Sequence, residues 1–163
     1  MAENIWSVLC YKASLDQDNN QVSLLDILEE LTLVPGQEIS SRERIGLGHH
    51  MEFVTLWRRT AVEKPETARM KLEILSPGNK NLGTAELEIN LETVRRYRGI
   101  IKLDMLPFDG FGVYQFRLSK KDEGLVDWEE VARVPLEVNE KPSAAGSEKG
   151  ARPPRRNPRK PRP

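Results

Sequence analysis

Apolar and polar residues alternate with period two through much of the chain. In "ARMKLEIL" (68–75), Met70, Leu72 and Ile74 alternate with Arg69, Lys71 and Glu73. In "TAELEINL" (84–91), Ala85, Leu87, Ile89 and Leu91 alternate with Glu86, Glu88 and Asn90. Successive side chains of a strand leave on opposite faces, so each segment is expected to form a strand with one dry face and one wet face. A helix would spread the same residues around its circumference. Five more segments have strand character: Asn4–Ala13, mostly apolar and so expected in the middle of a sheet; Met51–Arg59, rich in β-branched and aromatic residues; Ile100–Leu106; Gly112–Ser119; and Glu129–Val138. In the last of these Pro135 has no N–H to offer a neighbour, which places it at an edge or a bulge.

Turn chemistry separates these segments. "SPGNKN" (76–81) joins the two alternating stretches, with Pro77 presetting φ and Gly78 suited to the positive φ of a type II turn. Asp109-Gly110 in "FDGF" (108–111) predicts a tight hairpin, and "KKDEG" (120–124) a looser one. "QVSLLDILEEL" (21–31) has two readings. Leu24, Leu28 and Leu31 share a helical face, with Ser23 and Asp26 at capping-box spacing; the same stretch also reads as a strand whose alternation breaks near Leu25. Asn90–Gly99 has room for one short helical turn, and Pro35–His50, which has no period and contains Gly36, Gly46 and Gly48, reads as a long loop. The sum is an antiparallel β-sandwich, Ig-like or C2-like, of about seven or eight strands.

"CYKASLDQDNNQVSLLDILEELTL" (10–33) resembles the opening of a bacterial family of short all-β proteins with no assigned function. Members of that family begin with an apolar strand ending near Cys, followed by an acidic, Asn-rich turn and a "SLxxVxE"-like segment. Here Leu25 and Asp26 fill the variable positions, Ile27 replaces Val and Glu29 matches the acid. The resemblance implies a small antiparallel β-sandwich and favours a strand over a helix for Val22–Leu33. It implies no activity, cofactor or binding residue, and it does not extend to the C-terminal segment.

Charge divides the chain. Lys and Arg total 25, as do Asp and Glu, for a net charge of zero over 163 residues. Residues 139–163 nevertheless hold eight basic residues against two acids, leaving 1–138 with a net charge of −6. The expected organisation is therefore a sandwich domain over 1–138 and a disordered, Pro/Arg-rich basic tail over 139–163. Cys10 is the lone cysteine, which fits a reducing compartment. "MAENIW" has no basic segment leading an apolar run, and no apolar stretch approaches the roughly 18–20 residues of a membrane span. A cytoplasmic protein without a membrane span is expected.

Candidate chemistry is sparse. Asp16, Asp18 and Asn20 have the spacing that opens an EF-hand loop, but Gln21 stands where the loop requires Gly and Ile27 where it requires Glu. A C2-like calcium site pairing Asp16 and Asp18 with Asp104 or Asp109 is the remaining metal reading, set against the ordinary role of Asp and Asn in turns. Adjacent strand residues such as His49 and His50 point to opposite faces and are poorly placed to chelate one ion. Cys10 lies in an apolar strand, the setting of an inert thiol, and no nucleophile elbow, zinc-protease helix or phosphate-binding loop occurs. No catalytic residue, metal or cofactor is expected. Arg95, Arg96 and Arg98 surround Tyr97 and form a secondary anion patch or, more simply, a solvated turn offsetting Glu86, Glu88 and Glu92. Trp6, Trp57 and Trp128 read as core residues.

The tail offers Arg152, Arg155, Arg156, Arg159, Lys160 and Arg162 to an anionic partner. Its prolines also suit a polyproline II ligand, and its charge suits the acidic body itself. The leading expectation is a non-enzymatic binding or accessory module that meets a protein partner with an acidic surface through its sandwich loops, with the tail as an electrostatic contact. Nucleic-acid binding through the tail is the alternative, and a calcium-dependent C2-like module a second; the oligomeric state is left open.

Overall fold

The structure is a computed structural model that describes residues 1–16, 21–33, 39–41, 44–47, 50–61 and 63–141, with only the backbone of 39–41 and 44–47. Among these residues there are twelve strands and no helix: β1 (Ala2–Leu15), β2 (Val22–Ile27), β3 (Glu30–Leu33), β4 (Ile39–Ser41), β5 (Arg44–Leu47), β6 (Met51–Arg59), β7 (Thr67–Leu75), β8 (Asn81–Asn90), β9 (Arg96–Leu103), β10 (Leu106–Pro107), β11 (Gly112–Asp122) and β12 (Glu129–Glu140). A four-stranded sheet ordered β2-β1-β6-β9 faces a five-stranded sheet ordered β3-β12-β11-β7-β8, and β10-β5-β4 form a small third sheet. All pairings are antiparallel except β12 with β3, which is parallel. The fold is an all-β sandwich.

The alternation seen in the sequence sets which faces meet. Met70, Leu72 and Ile74 on β7, with Phe116 and Leu118 on β11, turn inward and are buried. From the other sheet come Leu9, Met51, Phe53, Trp57 and Ile101. Phe53 stacks on Phe116 across the interior, with ring centroids 6.2 Å apart. β6 is buried on both faces. Its outward residues Val54 and Leu56 lie between cross-strand neighbours, Val8 with Ile100 and Trp6 with Arg98, and Val54 is fully buried. That second apolar layer is why Met51–Arg59 reads as nearly continuous apolar sequence. Gly99 leaves no room for a side chain: a Cβ there would lie 2.5 Å from Met70 Cε on the facing sheet and 3.0 Å from Thr55 Cγ2.

Several expectations change. Over 21–31 the favoured strand reading holds, as two strands parted at Leu28–Glu29, and Asp26, with φ 51°, disturbs the ladder of β2 one residue past Leu25. The long loop over 35–50 contains β4 and β5. No helical turn forms at Asn90–Gly99; bends lead directly into β9. "FDGF" is not a hairpin, because the strands on either side of it belong to different sheets. It is a crossover pinned by Tyr114, whose hydroxyl accepts from Asp109 N and donates to Gly110 O, each at 2.8 Å. The β7–β8 turn forms as expected, but Asn79, with φ 62°, takes the left-handed position and closes the turn onto Ser76 O at 2.8 Å. β11 continues through Lys120 and Lys121, which moves the following loop to 123–128. Pro135 sits on β12 before pairing with β3 begins at Glu137, an edge position. β12 runs to Glu140, two residues past the expected boundary, because Asn139 and Glu140 pair with Thr32 and Leu33.

Candidate functional site

The residues singled out by sequence do not converge. Arg152, Arg155, Arg156, Arg159, Lys160 and Arg162 lie outside the described residues, as do Asp18, Asn20 and His49. Arg95 precedes β9, and Arg96 and Arg98 are on it rather than in a turn. Tyr97 turns inward opposite Trp57, while Arg96, Arg98 and Lys102 share the outer face of this edge strand. Burial and the nearby Glu88 charge push the Tyr97 hydroxyl above its ordinary pKa.

Asp104 lies 3.3 Å from His50, and Asp109 lies 3.7 Å from Lys80. The other face of the His50 ring is 3.5 Å from Glu52. Among the described residues no three His, Cys, Asp or Glu side chains form a cluster fit for a metal ion. Cys10 is buried on the outward row of β1, 3.6 Å from Glu52 O. Burial first, and then the Glu52 charge, push its thiol up, which disfavours the nucleophilic thiolate.

Trp128 departs from the sequence reading. Trp57 is fully buried, but Trp6 and Trp128 are half-buried and outside the core. Trp128 immediately precedes β12 on the outer face of the five-stranded sheet. The Lys71 ammonium lies 4.9 Å from its ring centroid and that of Lys121 5.1 Å. Strand register explains the arrangement: Lys71 pairs with Ser119, and Arg69 with Lys121, so all three cations leave on the same outward face. Lysine over an indole face gains roughly 0.5–1 kcal/mol at such exposed sites. Glu73 anchors the inner end of this row, paired with Lys71 at 3.4 Å and with Arg117 at 3.1 Å. Burial raises the pKa of Glu73, but the Arg117 hydrogen bond and charge, joined by Lys71, outweigh it and hold the carboxyl below its ordinary value.

The hairpin tip beside Trp128 presents Leu125 and Val126, which are 57% and 85% exposed. A cleft of about 350 Å³ lies next to them, lined by Thr67, Arg69, Glu88, Lys121 and Glu123 among others. Thr67 Oγ1 donates to Glu123 at 2.7 Å and ties the loop to β7. An aromatic ring, three cations and two exposed aliphatic side chains thus gather at the end of the β11–β12 hairpin and on the adjoining β7. No residue of this group was read as a site from sequence, because a tryptophan in a strand-rich chain ordinarily signals core. The available signal was "LVDW" in a loop, where apolar residues have no core to join.

No family model matches the chain, and no match was found among curated proteins.

Proposed function

We propose that the chain is a non-enzymatic binding module that holds an acidic segment of a protein partner against its β11–β12 hairpin. The observation that carries this reading is the position of Trp128, outside the core with Lys71 and Lys121 on its ring and Leu125 and Val126 beside it. Aromatic and cationic side chains next to apolar anchors dominate the energetics of protein interfaces. No carboxylate of the described residues lies within 4 Å of the Lys121 ammonium, so a partner carboxylate can take that place. Glu88 and Glu123 at the cleft edge reject misplaced acids and set register. The basic residues of the tail add a long-range contact of the same sign, which speeds encounter more than it tightens the complex. The lone, buried Cys10 fits work in the cytoplasm.

Affinity capture with the full chain, at low and at physiological salt, tests the reading. A bound protein should be lost by Trp128→Ala and by the Leu125→Ser/Val126→Ser double variant, retained by Arg96→Ala, and released by salt. Equal capture by wild type and Trp128→Ala, or no specific capture even at low salt, sinks the proposal. Thermal melts of the variants keep loss of binding separate from loss of fold.

A second reading rests on the outward row of β9, where Arg96 and Arg98 lie about 6.6 Å apart and Lys102 about 13 Å further along, a line of cations for a phosphate backbone. It predicts that a labelled oligonucleotide binds the full chain with a steep salt dependence. Arg96→Glu/Lys102→Glu should then weaken binding tenfold or more; an unchanged anisotropy titration removes this reading.

A further inference from the structure

We infer that β2 is a self-complementary sheet edge through which two copies of this chain pair, joining their four-stranded sheets into one continuous sheet. An edge strand presents unpaired N–H and C=O groups, and natural sheets block such edges with charge, proline, bulges or brevity. Among the described residues the other edges of the two large sheets are blocked in those ways. β8 carries Glu86 and Glu88, and β9 carries Arg96, Arg98 and Lys102, so either strand brought against its own copy would oppose like charges. The exposed stretch of β12 has Pro135, and β3, as short as the regular stretch of β2, opens on the exposed acid Glu30. The overhang of β1 beyond β6 is capped, because Ala13 N donates to the buried carboxylate of Glu52 at 2.7 Å.

β2 is blocked less than these: its one charge, Asp26, and its one irregularity lie together at the far end of the regular stretch. Its sequence is Val22-Ser23-Leu24-Leu25-Asp26-Ile27, with no Lys, Arg or Pro, and among the described residues no strand lies on its outer side. Leu25 and Ile27 are 52% and 56% exposed. Register with β1 is regular from Val22 to Leu25; at Asp26 the left-handed φ interrupts the ladder and the Tyr11–Asp26 step is missing. The usable stretch therefore ends at Leu25.

A second copy fits that stretch better than an arbitrary strand. Antiparallel pairing about a two-fold axis makes each partner meet the same residues it presents. With the axis at Leu24, Ser23 faces Leu25 of the copy; with the axis at Ser23, Val22 faces Leu24. With the axis at Leu24 the central pairs, Leu24 with Leu24 and Ser23 with Leu25, are apolar or hydroxyl; the axis at Ser23 pairs Ser23 with Ser23 and Val22 with Leu24 but sets Leu25 opposite Gln21. The lone charge of the strand also stays clear: the two Asp26 carboxylates are then at least about 13 Å apart, beyond a Debye length of about 10 Å. The axis thus falls at Ser23 or Leu24. With the axis at Leu24, pairing places the exposed Leu25 of each chain beside the Ser23 hydroxyl of the other.

Sedimentation over a wide concentration range, joined to cysteine crosslinking, tests this. The full chain should pass from one to two chain masses as concentration rises. Ser23→Lys/Leu25→Lys, which gives β2 the protection its sister edges have, should remain a single chain at the same concentrations with an unchanged melt. Facing residues of an antiparallel pair lie about 4.5–5.5 Å apart at Cα, within disulfide reach. Mild oxidation should therefore link Ser23→Cys or Leu24→Cys to its own copy, while wild type, with Cys10 buried, and Leu15→Cys stay unlinked. A wild-type chain that stays single at millimolar concentration overturns the inference. So does a folded lysine variant that still dimerises, or a failure of both cysteines to crosslink. If the lysine variant does not fold, the crosslinks alone decide.

Discussion

Two side chains show how single residues hold this sandwich together. The Tyr114 hydroxyl both accepts from Asp109 N and donates to Gly110 O, so one buried group satisfies two backbone groups of the crossover between the sheets. Burial, and secondarily the Asp109 charge, hold its pKa above the ordinary tyrosine value, so the proton needed for the bond to Gly110 O stays in place across the neutral range. Tyr114→Phe should cost about 1–2 kcal/mol, measured by chemical denaturation, because it leaves two part-buried backbone groups without partners while changing almost no volume. Glu73 acts in the opposite pH direction. Its folded pKa lies below its ordinary value of 4.5, so its contribution is fully present above that value and is lost as pH falls through the folded pKa. Glu73→Gln should therefore flatten the acid side of the stability–pH curve, and the wild-type and variant curves should converge at low pH. Curves that run parallel down to low pH would show that Arg117 and Lys71 do not act through the Glu73 charge.

At the scale of elements, the strands that alternate strictly were legible because a sheet face has the same period as its side chains. Met51–Arg59 was legible for the complementary reason, its lack of alternation reporting a strand buried on both faces. β4 and β5 were not, since three or four residues are too few to establish a period. "FDGF" misled because turn chemistry is local: Asp-Gly with Gly110 at φ 98° marks a reversal of the chain but does not say whether the flanking strands share a sheet. The row Arg96-Tyr97-Arg98-Gly99 does alternate, and its inward members, Tyr97 and Gly99, mark it as strand; the density of charge obscured this. Gly99 also packs directly beneath Met70 of the facing sheet. Gly99→Val should destabilise by roughly 1–3 kcal/mol, because Met70 can swing away from a new side chain while Thr55, hydrogen-bonded at its hydroxyl, cannot. Met70→Ala in the Gly99→Val background should therefore recover little of that loss, and a large recovery would assign the clash to Met70.

Across the whole molecule, the two proposed contact regions lie at opposite ends of β1. Ala2, at one end, accepts from Lys120 beside the β11–β12 hairpin, and Lys12–Leu15, at the other, pair with β2. A dimer through β2 would therefore carry two hairpin patches on its far ends, an arrangement that favours repeated or paired acidic segments by effective concentration. The division between sandwich and basic tail was legible from charge alone, but its position was not, because Asn139 and Glu140 look like tail by composition and are strand by pairing. The difference can be measured. A chain ending at Lys141 keeps β12 whole, including the bond from Lys141 N to Leu33 O at 2.7 Å, and should melt as the full chain does. A chain ending at Glu137 removes the fully buried Val138 and three of the four register pairs that hold β3, and it uncovers Leu31 and Leu33. Loss of one buried aliphatic side chain alone costs about 2–4 kcal/mol, and parting β3 from the sheet adds to it. The shorter chain should show a clear drop in denaturation midpoint while the Lys141 chain shows none. Equal midpoints for both would mean that the β3–β12 pairing contributes little and that the sandwich ends at Val138 or before it.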